Sequence, residues 1–131
     1  MKAIYVGDLM GDLKVEGMAI ERILRAHGIR VKVEIVEYLS QALDGSFDVM
    51  FFDWGGMCIG NSILESSCEH ILEDAHEHPS RDYVMTSDMT EFAMKDAIKM
   101  SEGNLLGKPT NLFLTPQEYC NHKSKLKENK P

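Results

Sequence analysis

Cysteine, tryptophan, long apolar runs and positive charge are all scarce in this chain of 131 residues. Its three cysteines, Cys58, Cys68 and Cys120, are odd in number and include no C-x-x-C pair. That excludes a disulfide framework and the paired Cys/His spacing of a structural zinc site, so the thiols are read as reduced. No apolar run approaches the ~18 residues that cross a bilayer. The opening Met-Lys-Ala-Ile-Tyr-Val has neither the apolar stretch nor the cleavage site of a signal peptide. A cytoplasmic protein with no membrane partner is therefore expected. Lysine and arginine total 14 against 21 acids, a net charge of −7. Residues 117–131 hold Lys123, Lys125, Lys127 and Lys130 against Glu118 and Glu128, so this segment is +2 and the remainder −9. An acidic body of this kind repels phosphate backbones, which excludes nucleic acid as a partner. The basic segment reads as lysines near a helix C-terminus.

What is present is a well-distributed apolar fraction, 44% of residues, enough for one folded domain over 1–131. Residues 2–7 read as a strand with apolar residues on both faces. A helix opens at Asp12 or the Gly11 turn, presents Val15, Ala19, Ile20, Ile23, Leu24 and His27 at helical spacing, and stops at Gly28. Residues 30–38 alternate, as a half-exposed edge strand does. Residues 39–45 leave room for one helical turn. Residues 47–53 (Phe-Asp-Val-Met-Phe-Phe-Asp) are the most continuous apolar run, expected to be a strand buried on both faces. Ser62 and Glu65 form a capping-box pair that opens a helix running to about His76. A strand over 82–87 follows, then a helix from the Asp88/Glu91 pair carrying Phe92, Ala93, Ala97, Ile98 and Met100, stopped by Gly103. A fifth strand covers 110–114, and Thr115-Pro116-Gln117-Glu118 is a clean helix start for a helix to about Leu126.

Strands alternating with helices imply right-handed crossovers and a parallel sheet covered on both faces. Five strands in this length predict an α/β three-layer, flavodoxin-like (Rossmann-type) fold with strand order 2-1-3-4-5. Ligands in such sheets bind beyond the carboxyl ends of the strands, at the switch between strands 1 and 3. That rule selects Asp8 after strand 1, Asp53, Trp54, Gly55 and Gly56 after strand 3, and Thr86 and Ser87 after strand 4. Asp8 and Asp53, with Asp12 or Asp88 near them, are the carboxylates for a hard cation such as Mg²⁺; Asp12 and Asp88 also serve as helix caps. The glycines Gly55, Gly56 and Gly60 before a helix either offer backbone N–H groups to an anion or make a wide turn. Trp54, the only tryptophan, either stacks on a flat ligand or packs over the sheet end.

Cys58 near a helix start is a candidate thiolate nucleophile, with an inert thiol as the ordinary alternative. Cys68 and Cys120 fall on helices as packing residues. His70, Asp74 and Glu77 share one helical face, read as solvated and acidic. Residues 103–110 do not form a phosphate-binding P-loop, because Pro109 separates Lys108 from Thr110 and a strand follows rather than precedes. The nine methionines are scattered; Met50, Met85 and Met94 read as core.

The segment Ala42-Leu-Asp-Gly-Ser-Phe-Asp-Val-Met-Phe-Phe-Asp53-Trp-Gly-Gly-Met resembles the central strand of response-regulator receiver domains, where a phospho-accepting Asp ends strand 3. Met85-Thr86-Ser87 is similar to that family's strand-4 end with its switch Ser/Thr, and Leu112-Phe-Leu-Thr115-Pro116 to its strand-5 Lys-Pro end. Two positions depart: strand 1 ends in Gly7 and Asp8 rather than an acidic pair, and Thr115 stands where the family has its phosphoryl-pairing Lys. The resemblance therefore implies a degenerate receiver.

No complete catalytic constellation is present. The leading expectation is a regulatory or binding module using the rim of Asp8, Asp53, Trp54, Gly55, Gly56, Thr86 and Ser87 for a small anionic ligand or a protein partner. The alternative is a small hydrolase or transferase on a phosphate- or nucleoside-like substrate, with a cation at Asp8 and Asp53 and Asp53, Asp8 or Cys58 as catalytic candidates. Flavin binding over Trp54 is the third reading, opposed by the lack of a Ser/Thr-rich phosphate cradle after strand 1. A homodimer is the commonest assembly for such domains.

Overall fold

A computed structural model describes residues 1–7, 12–53, 64–86, 94–99 and 108–128. Five parallel strands, β1 (Ala3–Val6), β2 (Val33–Ile35), β3 (Val49–Phe52), β4 (Asp82–Met85) and β5 (Leu112–Phe113), form one sheet in the order β2-β1-β3-β4-β5. The helices are α1 (Leu13–Ala26), α2 (Leu39–Asp44), α3 (Leu64–Glu77), α4 (94–99) and α5 (Pro116–Glu128). This is the flavodoxin-like arrangement that the alternation of elements predicts.

The strands are short because each needs only to cross the sandwich, and β1 and β3 are apolar at every position because both their faces are covered. Register places Tyr5 beside Phe51 and Val6 beside Phe52. Side chains alternate between faces, so Ala3, Tyr5, Val49, Phe51, Val84 and Phe113 meet Ile20 and Leu24 of α1 and Tyr119 and Cys120 of α5. Ile4, Val6, Met50, Phe52, Tyr83 and Met85 meet Leu39, Ile71, Leu72, Met94 and Ala97 from α2, α3 and α4. Cys68, Cys120, Met50, Met85 and Met94 are fully buried packing residues, as expected.

Helix boundaries follow the expected chemistry. Asp12 caps α1 by accepting from the Val15 N–H at 3.1 Å. Gly28, at φ 78°, ends it. The Gly28 and Ile29 N–H groups close back onto the carbonyls of Arg25 and Leu24, a Schellman motif that only a left-handed residue permits. At α5, the Thr115 hydroxyl accepts from the Glu118 N–H at 3.0 Å while the Glu118 carboxylate accepts from the Leu114 N–H at 3.0 Å.

Three expectations are corrected. The inward face of α1 is Gly17, Ile20 and Leu24; Val15 and Ile23 are 59% and 39% exposed. Gly17 is selected because a Cβ there would come within 2.9 Å of Ile35 Cδ1, so helix and edge strand approach more closely than a side chain allows. The Asp74 carboxylate is not solvated: it bonds Arg81 at 3.3 Å and accepts the Tyr83 hydroxyl. Lys123, near the C-terminus of α5, pairs with Asp82 at 3.2 Å and ties α5 to β4. The edge strand β2 is shorter than expected, and its Val33 N–H is donated to Glu21 Oε1 of α1 at 2.8 Å. A carboxylate thus occupies a donor that would otherwise invite another strand.

Candidate functional site

Asp53 and Thr86 are the rim residues that the described structure places; Asp53 is the centre of the site. Its N–H donates to the Val6 carbonyl at 3.1 Å, continuing the ladder one residue past β3. Two residues beyond Phe51, it shares the face of Phe51 and Tyr5 and so lies toward α1 rather than α3.

Tyr5 reaches it from β1. Its phenol oxygen is 2.7 Å from Asp53 Oδ2 and 2.7 Å from Glu16 Oε2 in the first turn of α1. A phenol donates one proton, so the two carboxylates share it. Gly7 makes the reach possible: a Cβ there would fall 2.2 Å from Tyr5 Cε1 and 2.3 Å from its hydroxyl oxygen. The ring leans along the strand and lies where that side chain would be. Burial, followed by the bonds to Asp53 and Glu16, raises the Tyr5 pKa far above that of a free phenol, so the hydroxyl stays protonated. The other Asp53 oxygen, Oδ1, is buried with no hydrogen-bond partner among the described residues.

These groups line a cleft of about 190 Å³ with Ala19, Ile20 and Ile23 of α1, Thr86 after β4 and Pro116 of α5. Thr86 Oγ1 donates to the Phe52 carbonyl at 3.2 Å, which fixes its position beside Asp53. The cleft has apolar walls from α1, a polar floor of two carboxylates and a phenol, and a hydroxyl at one side. It lies at the carboxyl ends of β1, β3 and β4, as the topological rule requires.

Asp53 and Thr86 therefore line the same cleft. Asp8, Trp54, Gly55, Gly56, Cys58 and Ser87 lie outside the described residues. Among the described residues, no three His, Cys, Asp or Glu side chains gather into a metal cluster. Thr115 is not among the described residues that line the cleft, and its hydroxyl caps α5. Tyr5 and Glu16 were not singled out by sequence. The available signal was the Tyr-x-Gly spacing at 5–7, which puts a large ring and an empty position on the same face of one strand.

No family model matches the sequence, and no curated protein matches it. Solved structures of similar shape exist. A CheY-like response regulator receiver domain protein from Methanospirillum hungatei is 17% identical with a TM-score of 0.46, over 98% of this chain and 95% of that one. A Thermotoga maritima response regulator described as an OmpR/PhoB homologue is 14% identical with a TM-score of 0.48, over 98% of this chain and 53% of its own. A chemotaxis response regulator of Vibrio cholerae is 12% identical with a TM-score of 0.46, over 96% of this chain and 98% of that one. The fold is flavodoxin-like. That statement rests on the parallel order β2-β1-β3-β4-β5 and concerns architecture, because folds of this type host many unrelated chemistries. In a sheet of this order the residue that follows β3 sits at the switch point; in this chain that residue is Asp53, bonded to a tyrosine from β1.

Proposed function

We propose that residues 1–131 make a single regulatory or binding module, which takes a small anionic ligand at the rim of Asp8, Asp53, Trp54, Gly55, Gly56, Thr86 and Ser87. The observation carrying this reading is Asp53, one oxygen held by Tyr5 and the other buried with no partner among the described residues, at the switch point of the sheet. A buried orphan acceptor is costly, and a cation is the natural occupant beside it. Two carboxylates repel a bare anion, so an anionic ligand enters here together with a hard divalent cation. The all-oxygen donor set of Asp53 and Asp8 suits Mg²⁺; these carboxylates would hold the ion, and it would supply the positive charge that an anionic ligand needs beside them. The cleft volume of about 190 Å³ lies below the roughly 300–1,000 Å³ of pockets for drug-sized ligands and suits an ion with a small anion better than a flavin. Thr115, a cap of α5, favours binding over phosphotransfer, since the position that resembles the family's lysine supplies no cation.

The test is thermal unfolding with Mg²⁺, with and without beryllofluoride. The wild-type chain is expected to gain stability with both present, and Asp53→Asn to gain none. An equal gain in Asp53→Asn removes Asp53 from the site.

A further inference from the structure

We propose that Tyr5 is a latch on Asp53: its phenol occupies the carboxylate in the resting chain and withdraws to Glu16 when a ligand takes Asp53. The proposal deepens the binding reading above and rests on it only for the identity of the ligand.

Three observations converge. The phenol oxygen is equidistant, 2.7 Å, from one acceptor on the strand end and one on α1. A hydroxyl with a single proton cannot satisfy both fully, so each is a ready substitute for the other. Gly7 leaves the space through which the ring reaches Asp53; nothing in the packing of β1 alone requires a glycine beside a tyrosine. Finally, Asp53 pairs with no described lysine or arginine in the salt-bridge network, in contrast to Asp74 and Asp82, which hold Arg81 and Lys123. The Asp53 carboxylate is thus held by a neutral, displaceable donor. The Glu16 alternative is what makes release cheap. A phenol stripped of its only acceptor in a buried site would forfeit a hydrogen bond outright, whereas Tyr5 exchanges a shared proton for one donated wholly to Glu16. Occupancy at Asp53 is thereby reported to the first turn of α1, through a bond that strengthens when the ligand arrives.

Carbodiimide labelling of carboxylates, read residue by residue by mass spectrometry on the full chain, tests the latch without any ligand. Tyr5→Phe keeps the ring and removes the hydroxyl; labelling of Asp53 is expected to rise roughly tenfold, the factor that corresponds to a hydrogen bond to a charged group, while Asp74 labelling stays constant. Glu16→Gln replaces the charged acceptor by a weaker neutral one, which shifts the phenol toward Asp53, and is expected to leave Asp53 labelling at or below the wild-type level. Unchanged Asp53 labelling in Tyr5→Phe, or an equal rise in Glu16→Gln, overturns the latch. Should Tyr5→Phe fail to fold, the wild-type chain gives the same answer by NMR: Mg²⁺ titration is expected to move the Tyr5 ring resonances in step with binding, and binding that leaves them still overturns the proposal. Raised labelling in Tyr5→Phe with no Mg²⁺ response in either chain keeps the latch and removes the cation reading.

Discussion

Asn111 shows how much one side chain can hold at the amino-end of the sheet. It is 8% exposed, and its amide nitrogen donates to the carbonyls of Ala75, His78 and Arg81 at 3.0, 3.1 and 2.7 Å. Two of those carbonyls belong to the end of α3 and the turn after it, where backbone acceptors lack intrahelical partners. Asn111→Ala leaves buried acceptors unpaired and is expected to cost about 1–3 kcal/mol, measured by urea denaturation; a loss below the error of that measurement would mean water replaces the amide. Asn111 carries no motif in the sequence, because its role depends on three carbonyls thirty or more residues away. The same holds for Tyr5. Sequence parity gives its face, but only the packing of α1 against β1 gives it Glu16 as a second acceptor.

Among the elements, the helix ends were the most legible and the helix faces the least. Asp12, Gly28 and Thr115 act where local chemistry puts them, since a cap is a contact between residues three or four apart. Thr115→Ala is expected to lose about 1 kcal/mol of stability with the cleft retained, seen as a lowered melting temperature and an unchanged Mg²⁺ response. A lost Mg²⁺ response would instead put Thr115 in the site. The face of α1 was misread because Val15 and Ile23 are apolar while Gly17 is not an obvious core residue; Gly17 is buried only because Ile35 of the edge strand comes so close. Asp74 was misread as solvated for a related reason. Its partners, Arg81 and Tyr83, reach it across a turn and a strand.

For the whole molecule, three buried tyrosines link stability to alkaline pH. Burial, reinforced by Asp53 at Tyr5, by Asp74 at Tyr83 and by Asp82 at Tyr119, raises all three pKa values above that of an unfolded tyrosine. A pKa raised on folding means that the folded state favours the protonated form. Its contribution is whole below the unfolded value of about 10 and is lost as pH rises above it. Stability is therefore expected to fall steeply above about pH 10, with the tyrosinate absorbance of these three residues developing together with the loss of circular dichroism. Tyrosinate absorbance developing before any loss of structure would show the rings to be accessible. The two T-shaped contacts that Tyr119 makes with Phe51 and Phe113, at 5.9 and 5.3 Å between ring centroids, and the one that Tyr83 makes with Phe47 at 5.6 Å, place the rings in the packing of both layers, so their ionisation and unfolding are one event.

The sequence by itself determined the order of the elements, the parallel sheet with β2 at its edge, the burial of β3 on both faces and the position of Asp53 at the sheet's carboxyl end. Each follows from periodicity, chain connectivity or a local cap, which are encoded within a few residues. Only the tertiary structure decided what surrounds Asp53. The tyrosine that bonds it lies 48 positions away, the glutamate that shares that tyrosine belongs to a helix, and both meet at one carboxylate because strand register and helix packing bring three distant segments to a single point. Distances of that kind are properties of the folded chain, and no local pattern of residue types contains them.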